Sequence, residues 1–221
     1  MRKYFYVGTV VATALVTMLP ATSASAASIH VLTRGKVGGP AVTPGSILKA
    51  SLAKRSSVVF KNNLGTLTCT KSTLTAKVTS NPAKPGTAKE SITALTFSGC
   101  RISIPGVPGV TVKSITVGNL PYAATVSDSK GNPVKISGRT RTKPLLITAT
   151  VKLGTSTFSC SVKAASISGA ASNRGNVIAF VSHRFTKAAG GSFCTSSGTF
   201  SVRYGPVTDS SVRGNPAVFV N

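Results

Sequence analysis

Acidic side chains are almost missing. Glu90, Asp128 and Asp209 are the only carboxylates in 221 residues, and His30 and His183 are the only histidines. That poverty excludes much chemistry. A glycosidase needs two carboxyl groups flanking one bond. Asp128 and Asp209 each sit beside a turn rich in Ser, Gly and Asn, where an aspartate caps backbone N–H groups, which leaves Glu90 without a partner. Glu90 precedes an alternating segment and is expected to be solvated. The clusters of oxygen ligands that divalent cations require are absent. No C-x-x-C occurs, and neither histidine is spaced to the cysteines as a zinc ligand would be, so no metal and no cofactor is expected. A G-x-S-x-G elbow and a phosphate-binding glycine loop with its lysine are lacking too. Tryptophan is absent and there are only 4 tyrosines, which removes the usual stacking platforms for sugars or single-stranded nucleic acid.

The one long apolar run lies at the N-terminus. Arg2 and Lys3 precede an apolar stretch from Tyr4 to Leu19, followed by Pro20 and Ala24-Ser25-Ala26, the layout of an export signal with a cleavage site. Residues 1–26 are therefore expected to be a signal peptide. No later segment is apolar enough to span a bilayer as a helix. Cys69, Cys100, Cys160 and Cys194 form an even set in an exported chain, which implies two disulfides.

What is abundant is positive charge. Lysine and arginine number 26, and removal of Arg2 and Lys3 takes the formal charge from +23 to +21. Such a chain is drawn to polyanions. Its cations are scattered, with one local concentration at Arg139, Arg141 and Lys143. In an extended segment these three would share one face at period two; an edge strand guarded by charge is the alternative.

The mature chain is rich in Thr, Ser and Val, and alternating stretches such as Leu74–Val78, Ile92–Phe97 and Leu146–Val151 recur between turn formers. That spacing predicts an all-β sandwich or barrel. Self-comparison adds a repeat. Leu64-Gly65-Thr66 leads to Cys69 as Leu153-Gly154-Thr155 leads to Cys160, and Asn81 matches Asn173. Tyr122, Asp128 and Gly131-Asn132-Pro133 match Tyr204, Asp209 and Gly214-Asn215-Pro216. The expected architecture is an immunoglobulin-like β-sandwich of two pseudo-repeat units, residues 27–128 and 129–221; a single sandwich interleaved from both halves is the alternative. Cys69–Cys100 and Cys160–Cys194 are the favoured pairings, because each falls within one unit.

Laid out in order, Asn81-Pro82-Ala83, Asn119-Leu120-Pro121-Tyr122, Phe185-Thr186-Lys187, Tyr204-Gly205-Pro206-Val207 and the C-terminal Gly214–Asn221 resemble small secreted actinobacterial proteins of unknown function, described mainly by their signal sequence. The resemblance implies export, a β-rich fold and paired cysteines, and assigns no activity or binding residue.

The functional expectation is a secreted, non-enzymatic β-sandwich protein adhering to anionic cell-wall polymer or to a surface protein, with no specific nucleic-acid partner. Two alternatives stand beside it. One is a hydrolase using His183 with a serine and Asp128 or Asp209; the other is a protease-inhibitor-like module presenting the Pro-Gly-rich loop 104–110.

Overall fold

The computed structural model describes residues 28–221; the expected signal peptide lies outside the described residues. Every element among them is a strand, as the Thr/Ser/Val alternation predicts, and among the described residues no helix is long and apolar enough to cross a membrane. In chain order the strands are β1 (Leu32–Arg34), β2 (Ile47–Leu52), β3 (Val58–Lys61), β4 (Thr66–Ser80), β5 (Thr87–Ser103), β6 (Thr111–Gly118) and β7 (Tyr122–Ser127). They continue with β8 (Pro133–Ser137), β9 (Leu145–Leu153), β10 (Ser156–Ala164), β11 (Ser166–Ser172), β12 (Val177–Ala189), β13 (Ser197–Asp209) and β14 (Val218–Val220).

Eight of them close into an antiparallel barrel in the order β2-β4-β5-β7-β8-β11-β12-β13, with β13 returning to β2. The all-β class is as expected; the tandem of immunoglobulin-like sandwiches is not what forms. β2 from the first proposed unit is hydrogen-bonded to β13 from the second, and β7 pairs with β8 across the proposed junction as a hairpin. Closure satisfies backbone edges that two open sandwiches would leave free.

Four strands are much longer than the barrel wall needs. β4, β5, β12 and β13 run 15, 17, 13 and 13 residues, and their far halves build a second layer. There β3 bridges β4 and β13, β10 joins β12, β9 joins β10 and β6 joins β9. β6 folds back beside the far half of β5 without forming a ladder with it. This second ring is open along one seam.

The two ends are finished differently. At the closed end β1 and β14 pair as a two-stranded plug that buries Val31, Leu32, Val218 and Val220. Side-chain amides supply the backbone partners a short strand pair lacks. Asn81 accepts from Leu32 N–H and donates to the carbonyls of Leu32 and Val42, while Asn173 accepts from and donates to Val220. Asp209, fully buried at the end of β13, takes the Arg34 guanidinium of β1 at 2.9 Å. The buried Nε and Oδ2 have no partner but each other.

Between the two layers, buried hydroxyls stitch the strands. Tyr204 donates to Ser72 Oγ at 2.7 Å, and Ser72 donates onward to the Thr96 carbonyl at 2.6 Å. Tyr122 accepts the Leu146 N–H at 3.1 Å and donates to the Gly118 carbonyl. Burial raises both phenols above their ordinary pKa. Gly169 is required where Phe180 fills the barrel, since a Cβ there would run into the Phe180 ring and the Ala179 carbonyl.

Candidate functional site

The three carboxylates lie toward the closed end. Asp128 accepts the Gly86 N–H with both oxygens, at 3.0 and 3.1 Å. Asp209 accepts the Ser211 N–H at 3.0 Å besides holding Arg34. Asp209 caps its own turn as expected, whereas Asp128 holds the backbone of a different loop, at Gly86. Glu90 corrects its expectation of being solvated: β5 begins at Thr87, so Glu90 is inside the strand, paired with Val78 and Ala124 and in their inward register. It is half-buried, and desolvation pushes its carboxyl from 4.5 up to about 7.

His183 lies mid-way along β12. Its ring packs edge-on to Phe180 at 6.2 Å between centroids and beside a void of about 60 Å³ where the two layers meet. It has no hydrogen bond to a serine or a carboxylate among the described residues, so the geometry lends the hydrolase reading no support. His30 forms an isolated bridge with Ala83, and its Nδ1 lies 3.0 Å from the Ser28 carbonyl oxygen. No group of three or more His, Cys, Asp or Glu residues that could hold a metal ion occurs among the described residues.

Arg139, Arg141 and Lys143 are exposed in the connection between β8 and β9. The segment is not extended. Lys143 N–H donates to the Thr140 carbonyl and Thr140 Oγ1, closing a tight turn, so period-two alignment of the three cations is lost. The cause is local: Gly138 abuts the Lys143 carbonyl, Pro144 follows, and the chain must reverse.

The structural feature that offers most to a partner is a cavity of about 470 Å³ inside the open layer. Its origin is a matter of register. Three cross-strand rows span β6, β9 and β10: Val117-Ile147-Val162, Ile115-Ala149-Cys160 and Val112-Val151-Phe158. The middle row is short-chained at Ala149 and Cys160, and space remains where a filled barrel would carry Leu or Phe. Phe60 and Phe185 form the floor, their centroids 6.1 Å apart, with Phe97 and Phe200 behind them.

The mouth is built from loops. Ile104, Val107 and Val110 all line it, so the Pro-Gly-rich loop 104–110 turns one apolar side chain inward at every third residue. On the other side, Phe193 packs on Phe158 with centroids 5.1 Å apart. Its loop is anchored by the Cys160–Cys194 disulfide, whose Cα atoms are 5.4 Å apart. The Cys69–Cys100 bond joins β4 to β5 directly, with Cα atoms 3.9 Å apart. Both pairings are those favoured above, and paired cysteines fit an oxidising environment. Of the seven large hydrophobic side chains exposed among the described residues, Leu64, Val107, Leu153 and Phe193 all ring this cavity, which marks the mouth as an unfinished apolar surface.

No family model, curated protein or solved structure matches the chain. The cavity is therefore the firmest guide to function. It was not anticipated from sequence, although two signals for it were present: the Ile-x-x-Val-x-x-Val spacing of 104–110 and the alternating apolar positions Ile147, Ala149, Val151 and Leu153.

Proposed function

We propose that this chain is an exported, non-enzymatic binding protein that holds an apolar ligand in the cavity of its open layer. The carrying observation is a cavity of about 470 Å³ with an almost wholly apolar lining, a size within the range of small-molecule sites. Two of the polar groups at its mouth are already engaged: Asn62 Oδ1 accepts from Leu64 and Gly65, and the Thr195 hydroxyl is shared between Asn63 Oδ1 and the Ser197 carbonyl. A ligand buried there gains by desolvation of apolar surface. The test is fluorescence enhancement of the neutral dye N-phenyl-1-naphthylamine. The wild-type protein should bind it saturably, and Ala149→Trp, which fills the middle row, should abolish the signal.

A second reading, adhesion to anionic wall polymer, is favoured by the fate of the acids. Asp209 is buried against Arg34 and the two cancel, so the +21 expected after signal removal rests on the remaining side chains. Sedimentation with isolated cell walls across a salt series tests it; binding that falls steeply with salt supports wall adhesion, and none at low salt refutes it. Arg139, Arg141 and Lys143, exposed together on one turn, are the residues to reverse first.

The immunoglobulin-like repeat also survives only as a proposal, in altered form. Gly131-Asn132 and Gly214-Asn215 share one backbone shape, with φ of 86° and 45° against 84° and 46°. In each, the Asn N–H donates three residues back, to Ser129 and to Val212. These paired turns support a duplicated ancestor whose halves came to share one sheet. Export, as in the secreted actinobacterial proteins the chain resembles, belongs to the same reading.

A further inference from the structure

We propose that the rim of the open end is a docking surface for an anionic lipid bilayer, whatever the cavity beneath it holds. Four connections meet there: 62–65, 104–110, 154–155 and 190–196. They form a continuous ring. Thr66 pairs with Ser103 and Thr111 with Lys152, Phe158 packs on Phe193, and the Thr195 hydroxyl meets Asn63 Oδ1. Each connection carries one large exposed apolar side chain, within it or at its edge: Leu64, Val107, Leu153 and Phe193, the last 70% exposed.

Behind the apolar tips comes a belt of cations. Lys61 ends β3, Arg101 and Lys187 each lie two residues from the ends of β5 and β12, and Lys113 is third in β6. All four are exposed. Alternation turns Lys61 and Arg101 to the outer wall, away from the lining residues Phe60 and Ile102. They therefore contribute nothing inside the cavity and stand around it instead. They are set back from the loops by no more than about 10 Å of strand, a distance that long Lys and Arg side chains shorten by extending toward the tips. No acidic side chain belongs to this end. Asp128 holds Gly86, Glu90 follows near the start of β5, and Asp209 ends β13, all at the closed end.

This order selects the partner. A bilayer presents anionic headgroups over an apolar interior, the same two layers in the same sequence, and side chains reaching about 5–10 Å into it meet both. A soluble polyanion matches the cations but leaves the apolar tips in water. A second copy set mouth to mouth would cover the tips but bring cations against cations.

The experiment is co-sedimentation of the full mature chain with vesicles of phosphatidylcholine, alone or with about one-third phosphatidylglycerol. The mixed vesicles should bind at least about tenfold more tightly, and added salt should weaken that binding. Phe193→Ser combined with Val107→Ser should weaken it about tenfold or more. Val37→Ser, at an exposed apolar residue of the closed end, should leave it unchanged. Lys61→Glu combined with Lys187→Glu should also weaken it about tenfold or more. Lys36→Glu with Lys84→Glu, an equal charge change at the closed end, should stay within about twofold of the wild type. Full binding by the Phe193 and Val107 double variant would mean that charge alone is acting, and overturns the proposal. So would equal losses from the two charge reversals, or no binding to the mixed vesicles at low salt. A dimer in sedimentation velocity that the Phe193 and Val107 changes dissolve would give the rim to a second copy and overturn it too.

Discussion

The two ends of this molecule are made from the same four long strands and finished in opposite ways. At the closed end β4, β5, β12 and β13 surround Phe180, Ile92, Val78 and Val202, all buried, and a two-stranded plug is clamped over them by Asn81, Asn173 and the Arg34–Asp209 pair. At the open end the same strands meet β3, β6, β9 and β10, the middle row drops to Ala149 and Cys160, and one seam is left without a ladder. A sheet can thus keep one hydrogen-bonded frame and still differ along its length in what it encloses. Side-chain volume at a few register positions decides whether a segment of barrel becomes core or container.

The comparison can be broken most forcefully at the plug. Asp209→Ala leaves the Arg34 guanidinium without its buried partner and should cost about 3–5 kcal/mol in urea unfolding. If dye binding at the open end survives in the folded fraction, the ends are separable; if it disappears under native conditions, they are one cooperative unit. Next in size is Glu90. Its folded pKa of about 7 exceeds the ordinary value of 4.5, so between those values the unfolded chain releases a proton that the folded chain keeps. Stability should therefore fall as pH rises from 4.5 to 7 and level off above, by about 2–3 kcal/mol after allowance for the partial exposure of the side chain. Glu90→Gln should flatten that slope and raise the melting temperature at neutral pH. An unchanged pH profile would place the carboxyl in water. The smallest effect tests the contrast most directly. Ala124→Leu in the packed end should destabilise by about 1–3 kcal/mol through overpacking. Ala149→Leu in the cavity should be nearly neutral or slightly stabilising and should weaken dye binding. Equal costs at the two alanines would mean that the cavity is as full as the core.

Much of the local structure was legible in the sequence. Strands follow the Thr/Val alternation, Gly-Asn-Pro marks the turns, the aspartates cap backbone, and each disulfide closes within its own half. Closure was not legible, because the β2–β13 pairing joins residues some 150 positions apart, and no local pattern encodes such a contact. The same gap hid the cavity: Ala149 is unremarkable until its neighbours are known to be Ile115 and Cys160. Glu90 was misplaced because the strand begins at Thr87, five residues before the Ile92–Phe97 alternation. The Arg139–Lys143 cations would align only in an extended segment, and Gly138 and Pro144 fold it into a turn.

The plug carries one more consequence. The Asn221 side chain donates to the carbonyl of His30 and to Thr33, so the two described ends of the chain meet on one pole, away from the cavity. A label or solid support attached through the C-terminus would hold the molecule by its sealed base and present the mouth of the cavity outward.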